Sequence, residues 1–214
     1  MKGKVITLVF DDGPCEPLCE IVDKLKEYGF RGGFAVIGKK INDETEGMLR
    51  YAIENGFQLV SHSQTHAHLE ECPNKEEIAS ELTGPIREVQ KRLGYTITMA
   101  RLPFISYNHA VLETADEWLL PLLGSGMDGG RDWANDTTPE IIANAVLNSV
   151  RDGAVGCLHV REKTLAALDM MLPRLQNEGY QIVTPQELFE RKGIQKIPRG
   201  VNIDNVNDFI GAVS

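Results

Sequence analysis

The stretch Val5-Ile6-Thr7-Leu8-Val9-Phe10-Asp11-Asp12-Gly13-Pro14 is an apolar run that ends in two aspartates and a Gly-Pro turn. A short apolar run bounded by turn residues is typical of a buried strand. Carboxylates at the end of such a strand are costly unless they are paired or bound to a metal. Because successive side chains of a strand point to opposite faces, Asp11 and Asp12 need not have the same role. The alternative is a structural turn, which Asp-Gly-Pro also favours.

Short apolar runs alternate with longer amphipathic segments along the rest of the chain. The periodicity predicts strands over 33–37, 57–61, 96–101, 120–127, 154–158 and 180–183. It predicts helices over 18–28, 46–55, 74–93, 108–119, 163–177 and 185–192, and one that begins near Pro139. This alternation predicts an α/β fold, either a barrel or a doubly wound sheet. Both folds place functional residues at the carboxyl ends of strands.

Length and charge limit the classes of structure and function. Barrels of roughly 200–250 residues form single domains. The 214-residue chain is therefore expected to form one domain over 1–192, with a C-terminal tail, 193–214, packed on it. A net charge of −9 without a basic stripe argues against nucleic-acid or membrane partners and favours a neutral or weakly cationic substrate. No run is long enough to span a membrane and no export signal is visible, which favours the cytoplasm, or secretion if a leader has been trimmed.

His62 and His66 lie four residues apart, a spacing that lets two imidazoles share one ion. Zincin metalloproteases have Glu directly after the first His of such a pair, whereas this chain has Ser63. With Asp12, the two histidines would form a three-ligand site with room for water. The four cysteines are not spaced to close that site and are expected to be reduced thiols in or near the core. The sequence therefore predicts a catalytic metal site.

Two further residues complete the candidate site. Arg101 ends the predicted strand 96–101, and its guanidinium could hold Asp11, although it could equally pair with a surface carboxylate. His159 follows the apolar strand 154–158 and could donate a proton to a leaving group, unless it is a core histidine with a satisfied ring. His68 is expected to be solvated and outside the site.

In this order, the motifs resemble those of the polysaccharide deacetylase family, the nodulation-protein-type domain in family four of the carbohydrate esterases. The family's Thr-Phe-Asp-Asp-Gly-Pro motif resembles Val9–Pro14, and its His-Ser/Thr-x-x-His motif matches His62–His66. Its Arg-x-Pro-aromatic motif is met by Arg101–Phe104, and its Leu-His motif by Leu158–His159. Each motif is modest alone, but their joint order and spacing are specific.

The chain departs from the family in three places. Ile105 replaces the usual Gly after the third motif, and Val160 replaces the Asp that often follows the last histidine. The fourth motif, Asp-x-x-Asp-Trp, corresponds to Asp128-Gly129-Gly130-Arg131-Asp132-Trp133, in which Asp128 is one residue too far upstream. Either Asp128, which we take as the catalytic candidate, or Asp132 would therefore orient His159.

The resemblance implies a distorted (β/α) barrel, usually seven-stranded, that acts on a carbohydrate substrate. It implies one divalent ion, commonly zinc, with cobalt, nickel or manganese as alternatives, on Asp12, His62 and His66. It also implies that Asp11 is the base, that His159 protonates the leaving amine and that Arg101 holds Asp11. The remaining implied roles are an oxyanion contact from the Phe104 N–H and a wall of the acetyl pocket formed by Trp133.

The predicted activity is removal of N-acetyl groups from an amino-sugar polymer or oligomer of the chitin or peptidoglycan type. One alternative is an O-deacetylase acting on acetylated xylan, because an alkoxide leaves more readily than an amine. A second alternative is a non-catalytic carbohydrate-binding relative. Such a protein would be expected to have lost a ligand or the base, and this sequence has all three ligand residues and the base.

Overall fold

The computed structural model describes residues 3–210, so residues 1, 2 and 211–214, including the end of the predicted tail, lie outside it. The strands of the described residues are β1 Lys4–Gly13, β2 Gly33–Val36, β3 Gln58–Ser61, β4 Leu122–Leu123, β5 Val155–His159, β6 Tyr180–Ile182 and β7 Asn202–Ile203. The α-helices are α1 Leu18–Glu27, α2 Glu46–Glu54, α3 Lys75–Leu93, α4 His109–Glu117, α5 Pro139–Ser149, α6 Glu162–Asn177 and α7 Pro185–Arg191.

The strands form a closed ring, and β1 is the longest strand in it. β1 pairs in parallel with β2 and β5, β2 pairs with β3, and the start of β1 also pairs with β6. Bridges of Ala100 to Ser61 and to Leu122 link β3 to β4, which pairs with β7. The Val155 N–H donates to the Asp204 carbonyl at 2.9 Å and joins the end of β7 to β5. The fold is therefore a distorted (β/α) barrel, as predicted.

The two faces of β1 pack against different cores. Ile6, Leu8 and Phe10 belong to the layer between the strands and the helices, where the Phe10 and Phe34 rings lie 5.6 Å apart. A separate buried cluster takes residues from around the ring and forms the barrel interior; it includes Val5, Val9, Ala35, Val60, Leu123, Val155 and Ile203. Alternation along the strand puts Asp11 on the same face as Val5 and Val9, at the top of the barrel interior.

The predicted elements differ from the structure mainly on one side of the barrel. The segment 96–101 contributes only the bridge residue Ala100, and the predicted strand 120–127 is reduced to β4. The segment after residue 192, predicted as a tail packed on the domain, supplies β7 and buries Ile203 and Val206 in the barrel interior. These pairings depend on contacts with distant strands, and the local sequence pattern does not record them.

No helix within residues 3–210 has the length and apolar character that a membrane crossing needs.

Candidate active site

The predicted site residues gather at the carboxyl ends of the strands. Asp11 and Asp12 lie in the last residues of β1, His159 ends β5, His62 follows β3, and Arg101 follows the bridge residue Ala100. All of them except the deeper Arg101 line one cavity of about 410 Å³, together with His66, Phe104, Ile105, Trp133, Cys157 and Arg161. Parallel strands bring these positions together because their carboxyl ends meet at one rim.

Asp12, His62 and His66 form a group of potential metal ligands. Their ligand atoms all lie within 4.8 Å of one another. Asp12 Oδ1 is 3.7 Å from His62 Nε2 and 3.2 Å from His66 Nε2. This oxygen is buried, and within residues 3–210 it has no hydrogen-bond partner that meets both distance and angle criteria. A buried carboxylate oxygen that faces two imidazole nitrogens without hydrogen bonds fits a cation.

The backbone turns Asp12 and His66 towards each other. Both residues have left-handed φ angles, 70° for Asp12 and 66° for His66, which are uncommon for residues other than glycine. Burial disfavours ionisation of Asp12, but nearby His66, His159 and His62 outweigh it and hold the pKa of Asp12 far below its usual value. The Asp12 carboxylate is therefore anionic, as a ligand of a cation would need to be.

His62 is fixed in the tautomer that a metal ligand needs. Its Nδ1 lies 2.9 Å from the Arg101 carbonyl oxygen, which can only accept, so Nδ1 carries the proton. Burial lowers the pKa of His62 in spite of the opposing charge of Asp11, which keeps the ring neutral. The Nε2 lone pair of the neutral ring then faces Asp12.

Asp11 is buried and has partners on both oxygens. Arg101 Nη1 lies 3.5 Å from Oδ1, and the Cys157 thiol donates to Oδ2 at 3.2 Å. The Arg101 side chain is fully buried, and its Nη2 donates to the Gly156 carbonyl at 3.2 Å. The Arg101–Asp11 pair predicted from the sequence is present, and the alternative of a surface ion pair is wrong.

His159 is held by Asp132. The ring Nδ1 lies 2.6 Å from Asp132 Oδ1, and the other oxygen accepts from the His159 N–H at 2.6 Å and from the Thr164 hydroxyl at 2.8 Å. Burial opposes protonation of the ring, but the hydrogen bond to Asp132 and the charge of Asp11 raise the pKa of His159 above its usual value. His159 is therefore suited to donate a proton.

Asp128 does not contact His159, which corrects its inclusion among the catalytic candidates. Its Oδ1 accepts from the Gly130 N–H at 2.8 Å, so its carboxylate stabilises its own turn. Gly130 and Arg131 both have left-handed φ angles, of 63° and 53°. This turn absorbs the extra residue of the fourth motif and keeps Asp132 and Trp133 in place.

Two aromatic side chains stand at the mouth of the cavity. Phe104 and Trp133 are 56% and 55% exposed. Phe104 stacks on His68 with ring centroids 3.9 Å apart and meets the edge of His66 at 4.7 Å. His68 is exposed and does not line the cavity, as predicted, but its ring packs against Phe104, which contacts the candidate ligand His66.

Two residues of the cavity, Cys157 and Arg161, were not predicted from the sequence as site residues. The four cysteines are free and half-buried, but Cys157 lines the cavity rather than the core. It lies two residues before His159, and that spacing could have placed both side chains on one face of the strand. Arg161 Nη2 lies 3.7 Å from Asp12 Oδ2, and no sequence pattern pointed to that contact.

Residues 1–121 match the family model described as polysaccharide deacetylase. The chain belongs to the polysaccharide deacetylase family. It is 31% identical over 194 residues to the bifunctional xylanase/deacetylase of Pseudobutyrivibrio xylanivorans, covering 89% of this chain and 31% of that protein. It is also 31% identical over 192 residues to a peptidoglycan-N-acetylglucosamine deacetylase of Listeria monocytogenes, covering 89% of this chain and 40% of that protein.

The fold is also that of solved members of the family. A family 4 acetyl xylan esterase from Clostridium thermocellum, solved with a cobalt ion, superposes with a TM-score of 0.87. It is 31% identical in sequence, and the match covers 95% of this chain and 99% of that one. The curated relatives above are longer, and the chain spans between 31% and 40% of their length.

Proposed function

We propose that the protein is a metal-dependent hydrolase that removes N-acetyl groups from an amino-sugar polymer or oligomer. The observation that carries this proposal is one cavity lined by a ligand group, Asp12, His62 and His66, and by two proton-transfer residues, Asp11 and His159. Hydrolysis of an unactivated amide needs both parts, because the attacking water must lose a proton and the leaving amine must gain one.

One divalent ion, commonly zinc in such sites, would be held by Asp12, His62 and His66, with cobalt, nickel or manganese as alternatives. The unpaired Asp12 Oδ1 and the fixed His62 tautomer support this assignment. When bound, the ion supplies Lewis acidity that polarises the acetyl carbonyl and lowers the pKa of a water molecule towards about 7. Three protein ligands leave positions open for water and substrate.

Asp11 accepts a proton from the water that attacks the acetyl carbon. Its Oδ1 faces the Arg101 guanidinium and its Oδ2 faces the Cys157 thiol, so the carboxylate is held in place. Burial raises the pKa of the Cys157 thiol, which therefore stays protonated and acts as a donor to Asp11. Arg101 and Cys157 are in this way positioning residues.

His159 donates a proton to the departing amine through Nε2, because Nδ1 is hydrogen-bonded to Asp132. The backbone N–H of Phe104 would stabilise the oxyanion, and Trp133 would form a wall of the acetyl pocket. Both roles rest on the family resemblance and on the position of the two residues at the cavity mouth.

An O-deacetylase is the second candidate, because the relatives include an acetyl xylan esterase as well as a peptidoglycan deacetylase. The intact His159–Asp132 pair favours the amide, since an alkoxide has less need of a proton donor. All three candidate ligands and the base are present, which argues against a non-catalytic carbohydrate-binding protein.

Rates of acetate release from an N-acetylated chito-oligomer, a peptidoglycan fragment and acetylated xylan test the proposal. The metal-replete protein should act on an N-acetylated substrate with the highest kcat/KM. A clear preference for acetylated xylan would transfer the assignment to the O-deacetylase. Sugar binding without acetate release from any substrate would support the non-catalytic reading.

A further inference from the structure

Asp11, Cys157 and His159 form a second group of potential metal ligands in the same cavity. One ligand atom of each lies within 4.8 Å of the others, and Cys157 Sγ is 3.2 Å from Asp11 Oδ2. Zinc bond lengths of roughly 2.0–2.3 Å separate neighbouring ligand atoms of a tetrahedral site by about 3–4 Å. The three donors are therefore already close to the spacing that an ion would require.

The group is built on two neighbouring strands. The register of β1 and β5 pairs Asp11 with His159 and Val9 with Cys157. Because Cys157 and His159 are two residues apart on one strand, their side chains share a face, and it is the face next to Asp11. Backbone hydrogen bonds between the strands hold the three positions, so the grouping does not depend on a loop conformation.

The His159 ring is oriented as in many metal sites. Its Nδ1 is held by the Asp132 carboxylate at 2.6 Å, which leaves Nε2 as the nitrogen available to the cavity. A carboxylate on the far nitrogen of a ligating histidine fixes the ring and increases its basicity towards a metal. Asp132 is itself buried and fixed by the Thr164 hydroxyl at 2.8 Å.

We propose that Asp11, Cys157 and His159 bind a second divalent ion of the thiophilic kind, such as Zn²⁺ or Cd²⁺, and that this ion inhibits the enzyme. A thiolate, an imidazole and a carboxylate are the donor set that such ions prefer. On binding, the metal–sulfur bond replaces the S–H bond and the thiol proton is released to water. The binding stands on the geometry alone, whereas the inhibition rests on the proposed function, since the ion would occupy its base and its proton donor.

Electrostatic repulsion makes the second group bind an ion more weakly than the first. The Arg101 guanidinium lies 3.5 Å from Asp11 Oδ1 and repels a cation there, and an ion on Asp12 adds a further positive charge. The cation also has to replace the protons of Cys157 and His159. The Asp12 group should therefore fill first, and the second group only with excess metal.

Absorption spectroscopy separates the two groups, because only the second contains sulfur. The purified protein with one equivalent of Zn²⁺ is titrated with Cd²⁺ and with Co²⁺, and the thiolate-to-metal charge-transfer band is followed in the ultraviolet. Counting the Zn²⁺ already bound as the first equivalent, the band should grow with the second equivalent of metal. It should be absent in Cys157→Ala. Cys15→Ala and Cys72→Ala should keep it. A saturated wild-type protein without the band, or a band that survives Cys157→Ala, would overturn the site.

Two further measurements keep the test decisive. Cys157→Ser and Cys157→Ala should each still bind one Zn²⁺, which confirms that the variants are folded. The Zn²⁺ concentration that halves activity should be at least tenfold higher for Cys157→Ala than for the wild-type protein. Each protein's activity is measured relative to its own uninhibited rate. Equal inhibition of wild type and Cys157→Ala would overturn the inhibitory role. A charge-transfer band in a metal-replete protein that releases no acetate would instead contradict the proposed function and leave the second site standing.

Discussion

The two halves of the cavity differ in how their polar atoms are satisfied. On the Asp12 side, a buried carboxylate oxygen accepts no hydrogen bond from the described part of the chain, and the two imidazole nitrogens face it. On the Asp11 side, Arg101 and Cys157 contact the two oxygens of the Asp11 carboxylate. Asp132 is hydrogen-bonded to Nδ1 of His159. A ligand site keeps lone pairs free for an ion, whereas a proton-transfer site holds its acid and its base in position through hydrogen bonds.

The largest effect should come from removing a ligand on the Asp12 side. His62→Ala and His66→Ala should lose the bound ion and reduce acetate release to background, because two remaining ligands hold a divalent ion poorly. Elemental analysis of purified variants measures the first effect. His109→Ala is the matched control, since that side chain is 86% exposed and lies on α4. Unchanged metal content in both ligand variants would remove the site from the account.

Asp11→Asn should show the opposite pattern, with metal content retained and turnover reduced. Loss of a general base costs about 10²–10⁴-fold. The shape of the side chain is preserved, so the contacts to Arg101 and Cys157 need not collapse. Metal content and kcat should be measured on the same sample. Loss of the ion from Asp11→Asn would mean that the roles of the two aspartates are reversed.

Asp132→Asn should lower turnover and move the alkaline limb of the pH–rate profile. The active His159 is protonated, so activity is present below its pKa and is lost as the pH rises through it. Asp132 raises that pKa, and its neutral replacement should shift the limb to lower pH. The amide substrate should suffer more than an activated ester, because a poor leaving group needs the proton most.

Asp128→Asn is the control for that variant, because Asp128 contacts its own turn rather than His159. It should leave the alkaline limb at its wild-type position. A shift in Asp128→Asn together with a wild-type profile in Asp132→Asn would reverse the assignment that the structure makes.

The smallest effect should come from the aromatic rim. Trp133→Ala should raise KM with little change in kcat, because the exposed ring contributes binding more than chemistry. Loss of an aromatic contact of about 0.5–1.5 kcal/mol corresponds to a roughly two- to tenfold change in KM. Trp118→Ala, a second exposed tryptophan that does not line the cavity, is the control. A large fall in kcat would instead place Trp133 in the chemical step.

The sequence predicted the parts of the fold that local patterns encode. The apolar run of β1 and the amphipathic helices were recognised because their periodicity follows burial on one face. The segment 96–101 was wrongly predicted as a full strand, and the strand Asn202–Ile203 was not predicted, because Ala100 and Asn202–Ile203 join the barrel through pairing with distant strands. Such pairing leaves little local signal.

The same distinction applies to the site. Strand-end motifs identified Asp11, Asp12, His62 and His159, which share one rim in the structure. The choice between Asp128 and Asp132 could not be made, since it depends on how a left-handed turn at Gly130 and Arg131 absorbs one residue. Cys157 was treated as a core thiol because composition alone does not show which face of a strand meets the cavity.

Removal and restoration of the ion tests the central claim most directly. Acetate release from an N-acetylated chito-oligomer should be measured on the protein as purified, after chelation, and after addition of one equivalent of Zn²⁺. Chelation should abolish turnover, and one equivalent should restore it in the wild-type protein and fail to restore it in His62→Ala. Turnover that persists after complete removal of metal, or that never appears after its return, would contradict the account.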